Sequence, residues 1–239
     1  MTADRWTQAV RHQLGIGRLL PLGDARDGAW IAERAVEAVL RSAAWDAPGV
    51  RLDALRVVVA DAADTAEPAV PAPPSALPPG PLRVTAEFAA TAAQPLPTTA
   101  SLLRATLATA ATERLGLTVT EVDLQVTGLL DEGPGEAGIA ERLPEPPSAA
   151  PAGSGDEGRA AAAALGVQGV LRLTGTLGHP VHIEELPREG AALPHRHVRL
   201  ELAVGADQRA RDVAREVRTV VRRALPDHPT VAVVVSAIG

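Results

Sequence analysis

Four histidines crowd into residues 178–198, GHPVHIEELPREGAALPHRHV: His179, His182, His195 and His197. Neutral imidazoles together with Glu184 or Glu185 could bind zinc. Two details oppose that chemistry. His195 and His197 share one strand face, while the loop joining them to His179 is long, and no helix or second carboxylate fixes a ligand geometry. The expectation is solvated loop histidines and no metal site. Other reactive sets are missing: there is no Gly-x-Ser-x-Gly elbow and, without a single Lys, no phosphate loop of the usual kind. Carboxylate pairs such as Asp131 with Glu132 fall in loops, where no apolar pocket would raise a pKa. The sequence therefore predicts no catalytic residues, no bound cofactor and no enzyme activity.

One polar pattern does have geometry. Arg211, Arg215, Arg218 and Arg222 recur at i, i+4, i+7 and i+11, which is a single helix face, with Arg223 beside them. Residues 157–239 carry 11 Arg against 9 acids, and residues 1–156 carry 12 against 20, so the formal charges are +2 and −8. The stripe reads as a solvated helix face, as a docking stripe for an acidic partner or for the acidic first half, or as a nucleic-acid contact. The last is the weakest, because the net charge is −6 and no aromatic platform accompanies the arginines.

The elements that must carry these groups follow from periodicity. The chain has 239 residues and is 46% hydrophobic, with one Phe, three Trp and no Tyr, so its cores are built from small aliphatic side chains. With no Cys there are no disulfides or thiolates, which fits a reducing compartment. The N-terminus lacks the apolar core of a secretory signal, and no stretch approaches the roughly 20 apolar residues of a membrane span. The expectation is a cytoplasmic protein, peripheral to a membrane only through a partner.

Trp6, Val10 and Leu14 form one helical stripe, either an arm packed on its own domain or a docking segment, and the glycines and proline of GIGRLLPLG end that helix. DGAWIAERAVEAVLRSAAW reads as the next helix with Asp27 as N-cap, stopped by PGV at 48–50. A strand LDALRVVVA leads into DTAEPAVPAPPSALPPGP, whose richness in proline and small residues predicts a semi-rigid loop that does not pack. The strand LRVTAEF, a helix with Leu103, Leu107, Ala111 and Leu115 inward, and the strand LTVTEVDLQVTGLL follow. After a linker-like stretch, the series recurs as an Ala-rich helix, a strand VLRLTGTL, a strand HVRLELAV, the arginine-bearing helix, and a final strand PTVAVVVSAI.

The recurrence is quantitative. Leu103, Leu107, Ala111 and Leu115 map onto Val213, Val217, Val221 and Leu225 at an offset of 110, and Val122, Leu124 and Val126 map onto Val231, Val233 and Val235 at an offset of 109. The predicted class is α/β (α+β): two tandem small α-β-β-α-β domains, each a mixed three-stranded sheet with helices packed on one face. The predicted boundaries are an N-terminal helical arm at 1–26, a first domain at 27–130 with a Pro-rich insertion at 62–81, a flexible linker at 131–156 and a second domain at 157–239.

The stretch EVDLQVTGL after a Gly-Leu-x-Val turn in the first half, and HVRLELAV with VAREVRTVV and the closing valines in the second, each resemble the C-terminal strand, helix and strand of the bacterial alkaline-shock, or envelope-stress-response, family, as two degenerate copies in one chain. AWIAERAVEAVLRSAAWDAPGV is similar to that family's opening helix and its PGV stop. The resemblance implies a non-enzymatic scaffold or adaptor of envelope stress and homeostasis, acting by protein–protein interaction at the cytoplasmic face of the membrane. Its implied partners are a small membrane-anchor protein and sibling alkaline-shock-like proteins, with homo-oligomers also open. The candidate docking residues are Arg211, Arg215, Arg218, Arg222, Trp6, Val10 and Leu14.

Overall fold

The structure is a computed structural model and describes residues 17–130, 155–187 and 195–239. Trp6, Val10 and Leu14, and most of the expected linker, lie outside the described residues. In chain order the elements are β1 (Leu19–Pro21), β2 (Ala29–Ala32), α1 (Glu33–Trp45), β3 (Val50–Val59), β4 (Leu82–Thr91), α2 (Leu96–Thr109), β5 (Val119–Leu130), α3 (Asp156–Leu165), β6 (Val170–Leu173), β7 (Val181–Leu186), β8 (His195–Val204), α4 (Ala210–Ala224) and β9 (Thr230–Ile238). The fold is α+β with mixed sheets and helices packed on them.

The two halves share a strand order. In the first half β3 pairs antiparallel with β4, and β4 pairs parallel with β5 across the crossover helix α2. In the second half β6 and β7 pair antiparallel with β8, and β8 pairs parallel with β9 across α4. The registers correspond as well: Ala86 faces Leu124 and Leu200 faces Val233, and 124 and 233 are separated by the offset of the sequence repeat. Parallel pairing requires a crossover of a dozen or more residues, which is why a helix sits between these strands in both halves.

The halves do not end at their own sheets. β1 and β2 form an antiparallel hairpin, and β2 adds in parallel to the outer edge of β9, with Ala29 opposite Val233 and Ile31 opposite Val235. Strands thus flank β9 on both sides, and Val231 to Val235 are fully buried, which accounts for a near-continuous valine run there rather than an alternating one. One hydrophobic core runs through both halves, from Leu20, Trp30 and Leu40 through Phe88 and Leu107 to Leu200, Val217 and Val233.

Three local expectations are corrected. Asp27 does not cap a helix: Ala29–Ala32 is strand, α1 starts at Glu33, and Glu33 in its first turn binds Arg18 at 2.6 Å. The run AWIA is apolar at every position, so burial on both faces selects strand over helix there. The Pro-rich segment does pack. Val70 is buried, Leu19 N–H donates to the Ser75 carbonyl, Leu77 N–H donates to the Leu19 carbonyl, and Trp30 Nε1–H donates to the Leu77 carbonyl. Proline lacks an N–H, so an extended segment of this composition can cover a sheet through the few donors and carbonyls it keeps. VLRLTGTL is not one strand. β6 stops at Leu173, residues 174–180 loop out, and pairing with β8 resumes at Val181.

Glu201 anchors that loop. Its carboxylate is almost fully buried and accepts from Thr176 N–H and Leu177 N–H, both at 2.8 Å, and from the Thr174 hydroxyl at 3.0 Å. Burial pushes its pKa up, and these donors oppose the shift only in part.

Candidate binding groove at the seam of the two halves

Helix α4 is amphipathic because apolar residues at Val213, Ala214, Val217 and Val221 recur every three or four positions and are buried, leaving the arginines on the other side. The surface facing those arginines is the β1–β2 turn of the first half, Gly23 to Gly28. Within the turn Asp27 N–H donates to the Asp24 carbonyl, and Asp24 N–H donates to Asp27 Oδ2 at 2.8 Å. This holds Asp27, 3% exposed, beneath the helix.

Two members of the stripe are committed to that carboxylate. Arg211 donates through Nε at 3.0 Å and Nη2 at 2.7 Å to Asp27 Oδ2, and Nη2 also reaches Asp24 Oδ2 at 3.4 Å. Arg215 Nε donates to Asp27 Oδ1, and Arg218 Nη1 donates to the Arg26 carbonyl. Burial alone would raise the Asp27 pKa, but the Asp24 N–H and the two guanidiniums outweigh it and hold the carboxyl below its ordinary value. Gly23 makes the approach feasible. It sits at φ +98°, and a Cβ there would fall 2.0 Å from Asp27 Oδ2 and 2.6 Å from Arg211 Nε.

Beyond Asp27 the stripe opens into a groove of about 550 Å³. Arg26, Arg218, Arg222, Arg223 and His228 line it, with Asp27, Arg215 and Thr219 completing the wall. Among the described residues Asp27 is its only carboxylate, and it is already bound by two arginines. Among the described residues no carboxylate comes within ion-pair distance of Arg26, Arg218, Arg222 or Arg223. Burial pushes the Arg218 pKa down; Asp27 counters this while Arg222 adds to it, as expected for a cation short of counter-charge. His228 Nδ1 lies 3.0 Å from the Arg222 carbonyl and extends the polar rim.

Arg211 and Arg215 thus bind the Asp27 carboxylate of the first half and Arg218 binds the Arg26 carbonyl there, while Arg215, Arg218 and Arg222 line the groove. Sequence reasoning missed Arg26, Asp27 and His228. The available signal is the turn GDARDG, two aspartates three residues apart between apolar runs, of which the helical pattern claims only Asp27 and Gly28.

The expectation of solvated loop histidines is corrected for three of the four: His182 lies on β7, and His195 and His197 lie on β8. His197 is buried on β8 with Nδ1 2.8 Å from the Thr230 hydroxyl, and its β7 neighbour is Glu184. Burial, helped by Arg199, His195 and His182 and opposed by Glu184, pushes its pKa down to about 4. Among the described residues no group of three His, Cys, Asp or Glu side chains is arranged to hold a metal, and no helix is long and apolar enough to cross a membrane. Comparison of the chain with protein-family models and with curated proteins gives no match.

Proposed function

We propose that the protein is a non-enzymatic scaffold or adaptor that binds an acidic segment of a partner protein in the groove between α4 and the β1–β2 turn. The observation that carries this reading is the set of four arginines, Arg26, Arg218, Arg222 and Arg223, around one concave surface whose only carboxylate among the described residues is already occupied. Concave clusters of one sign concentrate field and attract the opposite charge, and arginine forks match carboxylates in two-point contacts. No Phe, Tyr or Trp among the described lining residues offers a wall on which bases could stack, and Arg211 and Arg215 are each already engaged by Asp27, so a carboxylate-rich peptide suits the groove better than a nucleic acid.

The duplicated strand order and the alkaline-shock resemblance support a place in envelope stress or homeostasis. In that reading the partner is a small membrane-anchor protein or a sibling domain, and the protein works at the cytoplasmic face of the membrane.

Fluorescence anisotropy with a labelled Glu/Asp-rich peptide tests the groove. Binding should fall at least about tenfold in the Arg222→Glu, Arg223→Glu double variant and weaken with added salt, as expected for exposed charge pairs. Equal binding by the variant, or tighter binding of a single-stranded oligonucleotide of the same charge, would overturn the assignment.

A further inference from the structure

We propose that the free edge of β5 pairs with β5 of a second copy of this chain, antiparallel and centred on Leu124, joining two three-stranded sheets into one of six strands. Among the described residues β5 pairs with β4 alone, and at 12 residues it is the longest strand. Its counterpart in the second half, β9, has the corresponding edge covered by β2. Among the described residues, the one side-chain hydrogen bond made to the β5 backbone comes from Arg104 Nε to the Val122 carbonyl. A long open edge of this kind is a template for strand addition.

The strand itself indicates which partner fits. Its registers with β4 break twice, at the steps Leu82/Arg83 and Phe88/Ala89, which leaves Thr120 and Thr127 without β4 partners. Through both bulges the apolar residues stay aligned with the buried positions of β4: Val119 with Leu82, Val122 with Val84, Leu124 with Ala86, Val126 with Phe88 and Leu129 with Ala90. The spacings along β5 are therefore three, two, two and three, a palindrome about Leu124. A two-fold interface brings residue i to j and j to i, so only a self-complementary strand can satisfy it.

About Leu124, Val122 meets Val126 and Val119 meets Leu129. That supplies cover for Val126 and Leu129, which are 40% and 66% exposed. On the other face Asp123 meets Gln125 and Glu121 meets Thr127, so no like charges oppose each other, and Arg83 already pairs Glu121. Sliding by one step in either direction places Asp123 against Asp123 or Glu121 against Leu129. A single register is selected.

Sedimentation velocity of the full chain over a concentration series should show a dimer. Val126→Lys with Leu129→Lys, both at exposed positions, should return it to monomer with an unchanged circular dichroism spectrum. The chain has no Cys, so single cysteines report the register: oxidised Leu124→Cys should give a covalent dimer, because a residue facing itself across antiparallel strands lies within disulfide reach, whereas Gln125→Cys should not. A chain that stays monomeric throughout, a dimer that survives the double lysine variant, or crosslinking at 125 in preference to 124 would each overturn the proposal.

Discussion

Asp27 lies beneath Arg211, with Oδ2 2.7 Å from Nη2, and this contact joins residues 184 positions apart, one in each half of the chain. With Arg215 on the other oxygen, the carboxylate ties α4 to the β1–β2 hairpin. Replacing Asp27 by Asn leaves two guanidiniums facing a neutral amide in a buried place. The expected cost is about 3 kcal/mol, the usual scale for removing one partner of a buried pair, read from the urea midpoint. Because the Asp27 pKa is depressed by folding, its contribution is fully present above the unfolded value near ~3.9 and is lost as pH falls through the lower folded value. The acid limb of the stability curve should therefore flatten in Asp27→Asn.

His197 carries a pH dependence of its own. Its folded pKa near 4 lies below the unfolded value of about 6.5, so the unfolded chain binds the extra proton between these limits. Stability from this group rises with pH across that window and is complete above it, by on the order of 3 kcal/mol. Glu201, whose pKa is raised, acts in the opposite sense as pH climbs above the unfolded Glu value. The difference between wild type and His197→Gln, measured from pH 4 to 6.5, isolates the histidine, and a flat difference would remove it as a contributor.

The repeat was legible because helix period, turn length and strand alternation are local signals, and the paired registers Ala86–Leu124 and Leu200–Val233 follow from them. The seam was not. AWIA is apolar on both faces only because β2 crosses to a sheet of the other half, and a long-range pairing of this kind leaves no periodicity to distinguish it from a buried helix turn. The arginine stripe was visible as spacing. The engagement of Arg211 and Arg215 depends on Asp27, whose role is set by a turn that the local pattern assigned to a helix start.

The loop at 174–180 should depend on the acceptor atoms of Glu201 more than on its charge. Glu201→Leu strips Thr176 N–H and Leu177 N–H of their buried acceptor and should cost about 3 kcal/mol. Glu201→Gln keeps one carbonyl oxygen and should cost about 1 kcal/mol. Hydrogen exchange should accelerate at both 176 and 177 in Leu and at only one of them in Gln, because the two N–H groups use different carboxylate oxygens and an amide keeps one acceptor; equal exchange in the two variants would show that the loop is held by other contacts.

Gly23→Ala tests how tightly the hairpin turn fits under α4. The added methyl meets Asp27 Oδ2 and Arg211 Nε in a left-handed backbone, so a loss of about 2 kcal/mol or more is expected. Gly128→Ala, which meets nothing within 4 Å, is the control and should stay within about 0.5 kcal/mol. Matching losses in thermal melts would contradict the close approach at Gly23.

The most direct test of the groove is a chemical-shift titration of the arginine side-chain Nε–H signals with an acidic peptide. The account predicts that the signals of Arg218, Arg222 and Arg223 move in a saturable, salt-sensitive manner while those of Arg211, fixed on Asp27, stay in place. Shifts concentrated at Arg211, or none at Arg218, Arg222 and Arg223 at saturating peptide, would contradict it.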